Sequence, residues 1–383
     1  MSFVHNTVKR IVHGFGSIQD AAREARLLGG SRALIVTDPG LAKVGVQQPL
    51  EEALKSGGLA CQLYAEAELE PSVDSIAHCA EAAKDFRADI IFGIGGGSAL
   101  DTTKAAAVLL TNEGTIDQYF GMGKVQKPLP PMVLVPTTAG TGSEMTSISV
   151  LADTKNGGKW GVVSDYMYAD TVILDPDLTI GLPPRVTAMT GIDAFVHAME
   201  SFCGKADTPI TNGLNIQAMK LIARSLRRAY MNGADREARA DMLYASAIAG
   251  MGFSNTQNGI IHAVGTAVPR EYHLPHGLAI ACLTPMCMTF NYMARPEKYA
   301  EVAMILGEKH DSDTLALASR AATRMSALLK DIDIAEGLQP YGVTREDLPL
   351  IAERAAGNAR LIGNNPRPAT APMIQAMLEA SYR

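Results

Sequence analysis

Short β-branched runs alternate with amphipathic stretches along the first 183 or so residues, and from Pro184 onward the alternation stops. No other feature constrains the fold as strongly. Strand, helix, strand, helix builds a parallel sheet covered on both faces, because a parallel crossover needs a dozen or more residues and a helix supplies them. Ala33–Val36 is expected as a buried strand between Gly30 and a turn at Asp38-Pro39-Gly40. Ahead of it, Ser17-Ile18-Gln19-Asp20 resembles a capping box, opening a helix that Gly29-Gly30 closes. A helix near Gln47–Lys55, a strand near Ala60–Ala65 and a helix from Ser72 to Phe86 follow, then strands at Asp89–Ile94 and Met132–Val135. Beyond Pro184, segments such as Thr211–Tyr230, Asp235–Gly252 and Leu315–Ile332 keep a helical period, and Thr344-Arg345-Glu346-Asp347 is another capping-box start. At 383 residues two domains are the default. The expectation is an α/β domain with a parallel sheet over 1–183 and an all-helical domain over 184–383, joined through the proline-rich stretch from Asp175 to Pro184.

Composition removes several function classes. The 34 basic and 40 acidic side chains leave a net charge of −6, with no long basic run. Nucleic acid and anionic membrane surfaces are therefore not expected partners. The opening MSFVHNTVKR has no apolar core of the kind a signal peptide needs, and no 18-residue apolar run is evident. Cys61, Cys79, Cys203, Cys282 and Cys287 are odd in number and scattered, as in a cytoplasmic protein with reduced thiols. The spacing of Cys282 and Cys287 fits no common zinc pattern.

Two glycine-rich turns fall at carboxyl ends of the strands, where such sheets bind ligands. Gly95-Gly96-Gly97-Ser98 leaves a strand and enters a helix, with Ser98 as the expected N-cap and Asp101 three residues on. Its glycines allow backbone N–H groups to approach a pyrophosphate, whose charge a helix N-terminus favours. It is not G-x-G-x-x-G, and taken alone it reads equally as a tight connection. The second turn, Pro136-Thr137-Thr138-Ala139-Gly140-Thr141-Gly142-Ser143-Glu144, offers hydroxyls for a ribose and nicotinamide. Asp38 ends the strand Ala33–Val36, where a carboxylate can accept from a 2′-hydroxyl and repel a 2′-phosphate, favouring NAD over NADP. It can also simply form the turn before Pro39-Gly40.

In the second half, Asp193 precedes His197 by four residues, which puts both on one face of a helix. His262 lies in a helix-like stretch, NGIIHAVG, and His276 in the turn Leu274-Pro275-His276-Gly277. One carboxylate and three imidazoles make a complete set for Zn²⁺ or Fe²⁺. The same residues also read as ordinary core or surface histidines beside a capping Asp. Four of eight histidines between 197 and 276 weigh against that reading.

Several long motifs then occur in order: GGGSALDTTKA, PTTAGTGSE, DPDL…LPP…TGIDAFVHAMESF, AGMGFSN…IIHA…LPHG, and the late Asn365-Pro366-Arg367. Over essentially its whole length the chain resembles the group III, iron-dependent alcohol dehydrogenases. The resemblance implies an N-terminal nucleotide-binding α/β domain and an all-α C-terminal domain, the dehydroquinate-synthase-like fold. It implies a metal, iron or else zinc, held by Asp193, His197, His262 and His276. It implies NAD contacts from Asp38, Gly97, Ser98, Thr137, Thr138, Thr141 and Lys159, the last in Gly157-Gly158-Lys159-Trp160, and the glycine turn itself adds Gly95 and Gly96 as candidates. The activity it implies is reversible hydride transfer between a small alcohol and NAD, with the metal as Lewis acid, in a homodimer or higher homo-oligomer. Many family members carry a second histidine four residues after the position of His262, and here that residue is Thr266. Thr266 and the nearby His273 are the candidate proton-relay residues. A glycerol-dehydrogenase-like or dehydroquinate-synthase-like enzyme and a non-catalytic NAD-binding protein are the alternatives on the same scaffold.

Overall fold

The apolar runs of the first half are strands of one sheet. The computed structural model describes residues 3–153 and 158–382, so Gly157 and the first two residues of the opening stretch lie outside the described residues. Among the described residues nine strands are formed: β1 (Ile11–His13), β2 (Arg32–Val36), β3 (Ala60–Tyr64), β4 (Ile90–Gly95), β5 (Gly121–Met122), β6 (Met132–Pro136), β7 (Ile148–Ala152), β8 (Lys159–Val163) and β9 (Thr171–Leu174). The main sheet has the order β1-β9-β6-β4-β2-β3 and is parallel throughout. Between its strands run α1 (Ala21–Leu27), α2 (Pro39–Val44), α3 (Gln48–Ser56), α4 (Val73–Phe86) and α5 (Gly97–Thr111). The central strands β4 and β6 are buried on both faces, which is why they read as continuous apolar runs.

Several local features differ from the expectation. Asp38-Pro39-Gly40 is the first turn of α2: Asp38 is its N-cap and accepts from the Leu41 N–H at 3.0 Å, with Pro39 where a missing N–H costs nothing. Ser17–Asp20 is a 3₁₀ turn with no side-chain cap, since Asp175 takes the Gly16 and Ile18 N–H groups instead. A second sheet, β5-β8-β7, was not anticipated. Its strands run two to five residues, too short for an alternation to stand out.

The chain divides by compactness into Met1–Gly181 and Leu182–Arg383. The second unit contains α6 (Pro184–Cys203), α7 (Pro209–Met231), α8 (Arg236–Phe253), α9 (Ile260–Ala267), α10 (His276–Asn291), α11 (Pro296–Ile305), α12 (Thr314–Asp331), α13 (Leu348–Gly357), α14 (Ala359–Asn364) and α15 (Ala371–Ala380). Among its described residues there is no strand. Helix α6 packs against α7, α8 and α10, so residues 191 to 203 are buried all round the helix. Among the described residues one stretch, His276–Ala294, is long and apolar enough to cross a membrane, contrary to the sequence expectation. It is a mostly buried core helix, packed on α6, α9 and α12.

Candidate metal centre and nucleotide turns

Asp193 and His197 lie one turn apart on α6 and are buried to within 3% and 7% of side-chain exposure. The short α9 brings His262 against them, and His276 begins α10 as its first residue rather than sitting in a turn. The Asp193 Oδ1 atom is 3.9 Å from His197 Nε2, 3.6 Å from His262 Nε2 and 3.8 Å from His276 Nε2. Donor atoms of Asp193, His262 and His276 all fall within 4.8 Å of one another. The His197 ring stacks between Phe253, at 4.2 Å, and His262, at 4.6 Å.

These spacings fit a divalent cation. Ligands about 2.0–2.2 Å from a tetrahedral centre lie roughly 3.4 Å apart, close to the observed separations. Asp193 Oδ1 and His262 Nε2 are buried and have no hydrogen-bond partner, and they point at the same space. Two orphaned lone pairs facing each other are costly in a core unless a cation completes them. Burial opposes the charge on Asp193, but His197, His262 and His276 outweigh it and hold the carboxyl well below its usual range. Burial likewise works against a charged His262, yet Asp193 and Glu200 raise it to about 9. The pocket is built for positive charge. His276, at 40% side-chain exposure, leaves one side open.

Glu200 is the residue that sequence reasoning missed. It lies one further turn along the same face of α6 and is buried. Its carboxylate accepts from His262 Nδ1 at 2.6 Å and from the backbone N–H groups of Gly259, at 2.9 Å, and Ile261, at 2.6 Å. That contact puts the His262 proton on Nδ1 and leaves Nε2 to a metal. The signal was present as a third polar residue, at a spacing of 4 then 3, in an otherwise apolar helix. Asn365 completes the N-terminus of α9 by accepting from Ile260 N–H at 3.3 Å, while pairing its amide reciprocally with Asn291. The late Asn365-Pro366-Arg367 motif is thus a brace behind His262.

Neither relay candidate joins the donor cluster. Thr266 is exposed, one turn after His262 on α9, and its hydroxyl donates to the His262 and Ala263 carbonyls at 2.7 and 3.2 Å. His273 is exposed in left-handed backbone, φ +47°, after a short 3₁₀ turn. Cys282 and Cys287 are buried free thiols of α10, and the Cys282 thiol donates to the Ala279 carbonyl.

In the first unit the two glycine-rich turns pack on each other. Thr137 N–H donates to the Gly95 carbonyl at 2.9 Å, and a Cβ at Gly97 would lie 2.8 Å from the Thr141 methyl. Gly95 has φ +153°, and a Cβ there would meet Ala99 at 2.7 Å and Asp38 Oδ2 at 3.8 Å. Asp38, Gly95–Gly97, Thr138 and Thr141 therefore gather at one edge of the sheet. Ser98 is not the N-cap: Gly96 is, without a side-chain cap, and the Ser98 hydroxyl donates to the Leu69 carbonyl at 2.6 Å. The first N–H groups of α5 thus have no side chain closing them off, as an anion site requires. The hydroxyl of Thr137 is buried without a partner. Lys159 begins β8 and pairs with Glu70 at 2.7 Å. The edge formed by Asp38, Gly95, Gly96, Gly97, Thr138 and Thr141 fits a dinucleotide, and Lys159 is not among the residues brought to it.

Comparison with known proteins agrees with this geometry. The profile described as "Iron-containing alcohol dehydrogenase" matches residues 8–176, and "Fe-containing alcohol dehydrogenase family, C-terminal" matches residues 187–382. The chain is 64% identical, over 100% of both chains, to a sulfoacetaldehyde reductase of Bilophila wadsworthia. It superposes on a 1,3-propanediol oxidoreductase with a TM-score of 0.97 at 36% identity, covering 100% of each chain. A sulfoacetaldehyde reductase of Bifidobacterium kashiwanohense, solved with NAD+, gives a TM-score of 0.89 at 28% identity, covering 100% of this chain and 99% of that one.

Proposed function

The chain belongs to the iron-containing alcohol dehydrogenases, and from that premise we propose that it reduces a short aldehyde carrying an anionic sulfonate, with NADH as hydride donor. That it is an oxidoreductase interconverting an alcohol and its carbonyl compound follows from the family. The substrate proposal rests on the 64% identity, along the entire chain, to a sulfoacetaldehyde reductase. The chemistry rests on one observation: the convergence of Asp193 Oδ1 with three imidazole Nε2 atoms, two of the four orphaned in the core.

Asp193, His197, His262 and His276 hold the metal, Fe²⁺ in the first place and Zn²⁺ as the alternative. When bound, the metal supplies Lewis acidity and the dinucleotide supplies or accepts hydride. The protein's own residues do the rest. Glu200 holds the His262 ring in one tautomer, with Nε2 directed at Asp193. Asp38 has one oxygen on the α2 cap and the other, facing Gly95, for a ribose hydroxyl. Gly96, Gly97 and Ser98 present the α5 N-terminus to the pyrophosphate. Thr137, Thr138, Thr141 and Lys159 complete the cofactor contacts. The proton reaches the substrate oxygen through Thr266 or His273 and water, since a threonine hydroxyl alone has no pKa near neutrality.

The experiment is NADH oxidation by the metal-loaded enzyme with sulfoacetaldehyde, set against acetaldehyde and 3-hydroxypropanal at equal concentration. A kcat/KM for sulfoacetaldehyde at least about tenfold above the uncharged aldehydes supports the reading, a difference of about 1.4 kcal/mol. Equal values sink the sulfonate and leave the family activity standing. Dehydroquinate formation without NADH turnover would favour the synthase alternative, and the intact donor set argues against a non-catalytic scaffold. A cytoplasmic location, supported by five free cysteines, and a homodimer or higher assembly, measured by sedimentation, belong to the same proposal.

A further inference from the structure

Lys104 is the anomaly of the nucleotide unit. Its side chain has no solvent exposure, seven residues into α5, in a chain that has 34 basic residues and keeps most of them at the surface. Burying an ammonium costs several kcal/mol unless it is paired and hydrogen-bonded. Here the acceptors are supplied. Lys104 Nζ donates to the Ser143 carbonyl at 3.0 Å, the Ser143 hydroxyl at 2.7 Å, the Thr146 hydroxyl at 3.3 Å and the Ile148 carbonyl, and it pairs with Asp101 at 3.1 Å. Asp101, one turn earlier on α5, extends the network. It accepts from the Ser143 hydroxyl at 2.6 Å and from the Val150 N–H at 2.9 Å.

What the network joins is specific. Ser143 closes the turn that begins at Thr137. Ile148 and Val150 lie in β7, which pairs antiparallel with β8, the strand that starts at Lys159. Helix α5 itself begins at Gly97 and Ser98. Three segments that carry the candidate cofactor contacts therefore converge on one ammonium.

We propose that Lys104 is the positioning residue of the cofactor site, its ammonium fixing the α5 N-terminus, the Thr137–Ser143 turn and the β7–β8 hairpin in one arrangement around the dinucleotide. The inference rests on the reading that these turns hold NAD(H), and it assigns Lys104 no contact with the cofactor. An apolar side chain of similar length fills the same space and offers none of the three N–H donors that the ammonium shares among oxygens of these segments. The segments then settle independently, and the cofactor must organise them as it binds, which weakens affinity without touching the chemistry.

The test uses the metal-loaded enzyme with Lys104→Met, and a Ser143→Ala/Thr146→Val double variant that keeps the ammonium and removes two of its side-chain partners. NADH affinity is read by fluorescence titration, with KM for NADH and kcat measured in parallel. Lys104→Met is expected to raise the NADH Kd and KM at least about tenfold, with metal content at the wild-type level and kcat at saturating NADH within about twofold. The double variant is expected to show a smaller rise of the same kind, about threefold, and decides the matter if Lys104→Met does not fold. A merely structural lysine lowers the melting temperature and leaves the NADH KM where it was, and that result overturns the inference. If the wild-type enzyme binds no NADH, the reading of the turns fails and the inference falls with it. If the wild type binds and the variants bind equally well, the inference alone falls.

Discussion

The two candidate sites are built in opposite ways. In the first unit, contiguous segments bring backbone and small side chains to one sheet edge, and the buried ammonium of Lys104 is satisfied within the fold. In the second, side chains from three helices converge, and Asp193 Oδ1 and His262 Nε2 are left without partners in the core. A site made of backbone tolerates changes in side chains that a convergence of side chains cannot. The metal centre should therefore fail abruptly when one residue is changed, and the nucleotide site by degrees.

The sharpest test of that contrast is His262→Ala. It removes a proposed ligand and the partner of Glu200 together, so most of the metal and on the order of a thousandfold of turnover should be lost. Elemental analysis of the purified variant measures it. Metal retained at the wild-type level would mean that His262 is no ligand and that the two sites do not differ as described.

Glu144 provides the counterpart in the nucleotide unit. Burial raises its carboxyl from 4.5 to about 7, against its own backbone N–H and Lys104, which favour the charged form. A carboxyl raised on folding keeps its proton longer in the native state than in the unfolded chain. Its contribution is therefore complete below about pH 4.5 and is lost as pH rises through about 7. At roughly 1.4 kcal/mol per unit, the loss is about 3 kcal/mol. Thermal melts from pH 4.5 to 8 should show that decline, and Glu144→Gln should flatten it. An equally steep decline in the variant would assign it to other groups.

Removing the support rather than the ligand has a smaller effect. Glu200→Ala leaves all four donors in place and loses the hydrogen bond that orients His262, which should cost about 10–100-fold in metal affinity. Chelator competition gives the number. Wild-type affinity would mean that packing alone orients the ring and that the second site is less dependent on single side chains than its geometry implies.

The mildest change is at Asp38, which caps α2 and is the proposed partner of the ribose. Asp38→Asn keeps the cap on α2 and removes the charge, so preference for NAD over NADP should fall about tenfold with stability nearly unchanged. Asp38→Gly removes both, and differs mainly by a few tenths of a kcal/mol at the cap. Equal use of both cofactors by the unmodified enzyme would break the assignment of Asp38 to the ribose.

Asp193 and His197 were legible because four residues is one helical turn, and the glycine turns because strand ends announce themselves. Glu200 was not, because an isolated glutamate in an apolar helix has no local partner: His262 and the Gly259 and Ile261 N–H groups reach it from 59 to 62 residues away. The role of Ser98 was misplaced by one hydrogen bond, since Gly96 begins α5 and the hydroxyl turns to Leu69.

The sequence by itself determined the alternation that makes the parallel sheet, the change to helices after Pro184, the glycine turns and the family, since all are local patterns or ordered motifs. Only the tertiary structure decided that Asp193 and His197 meet His262 and His276, that Glu200 and Asn365 stand behind His262, and that Lys104 ties three segments together. Those are contacts between residues 39 to 105 positions apart, and pattern along a chain carries no information on which buried polar atoms packing will set face to face.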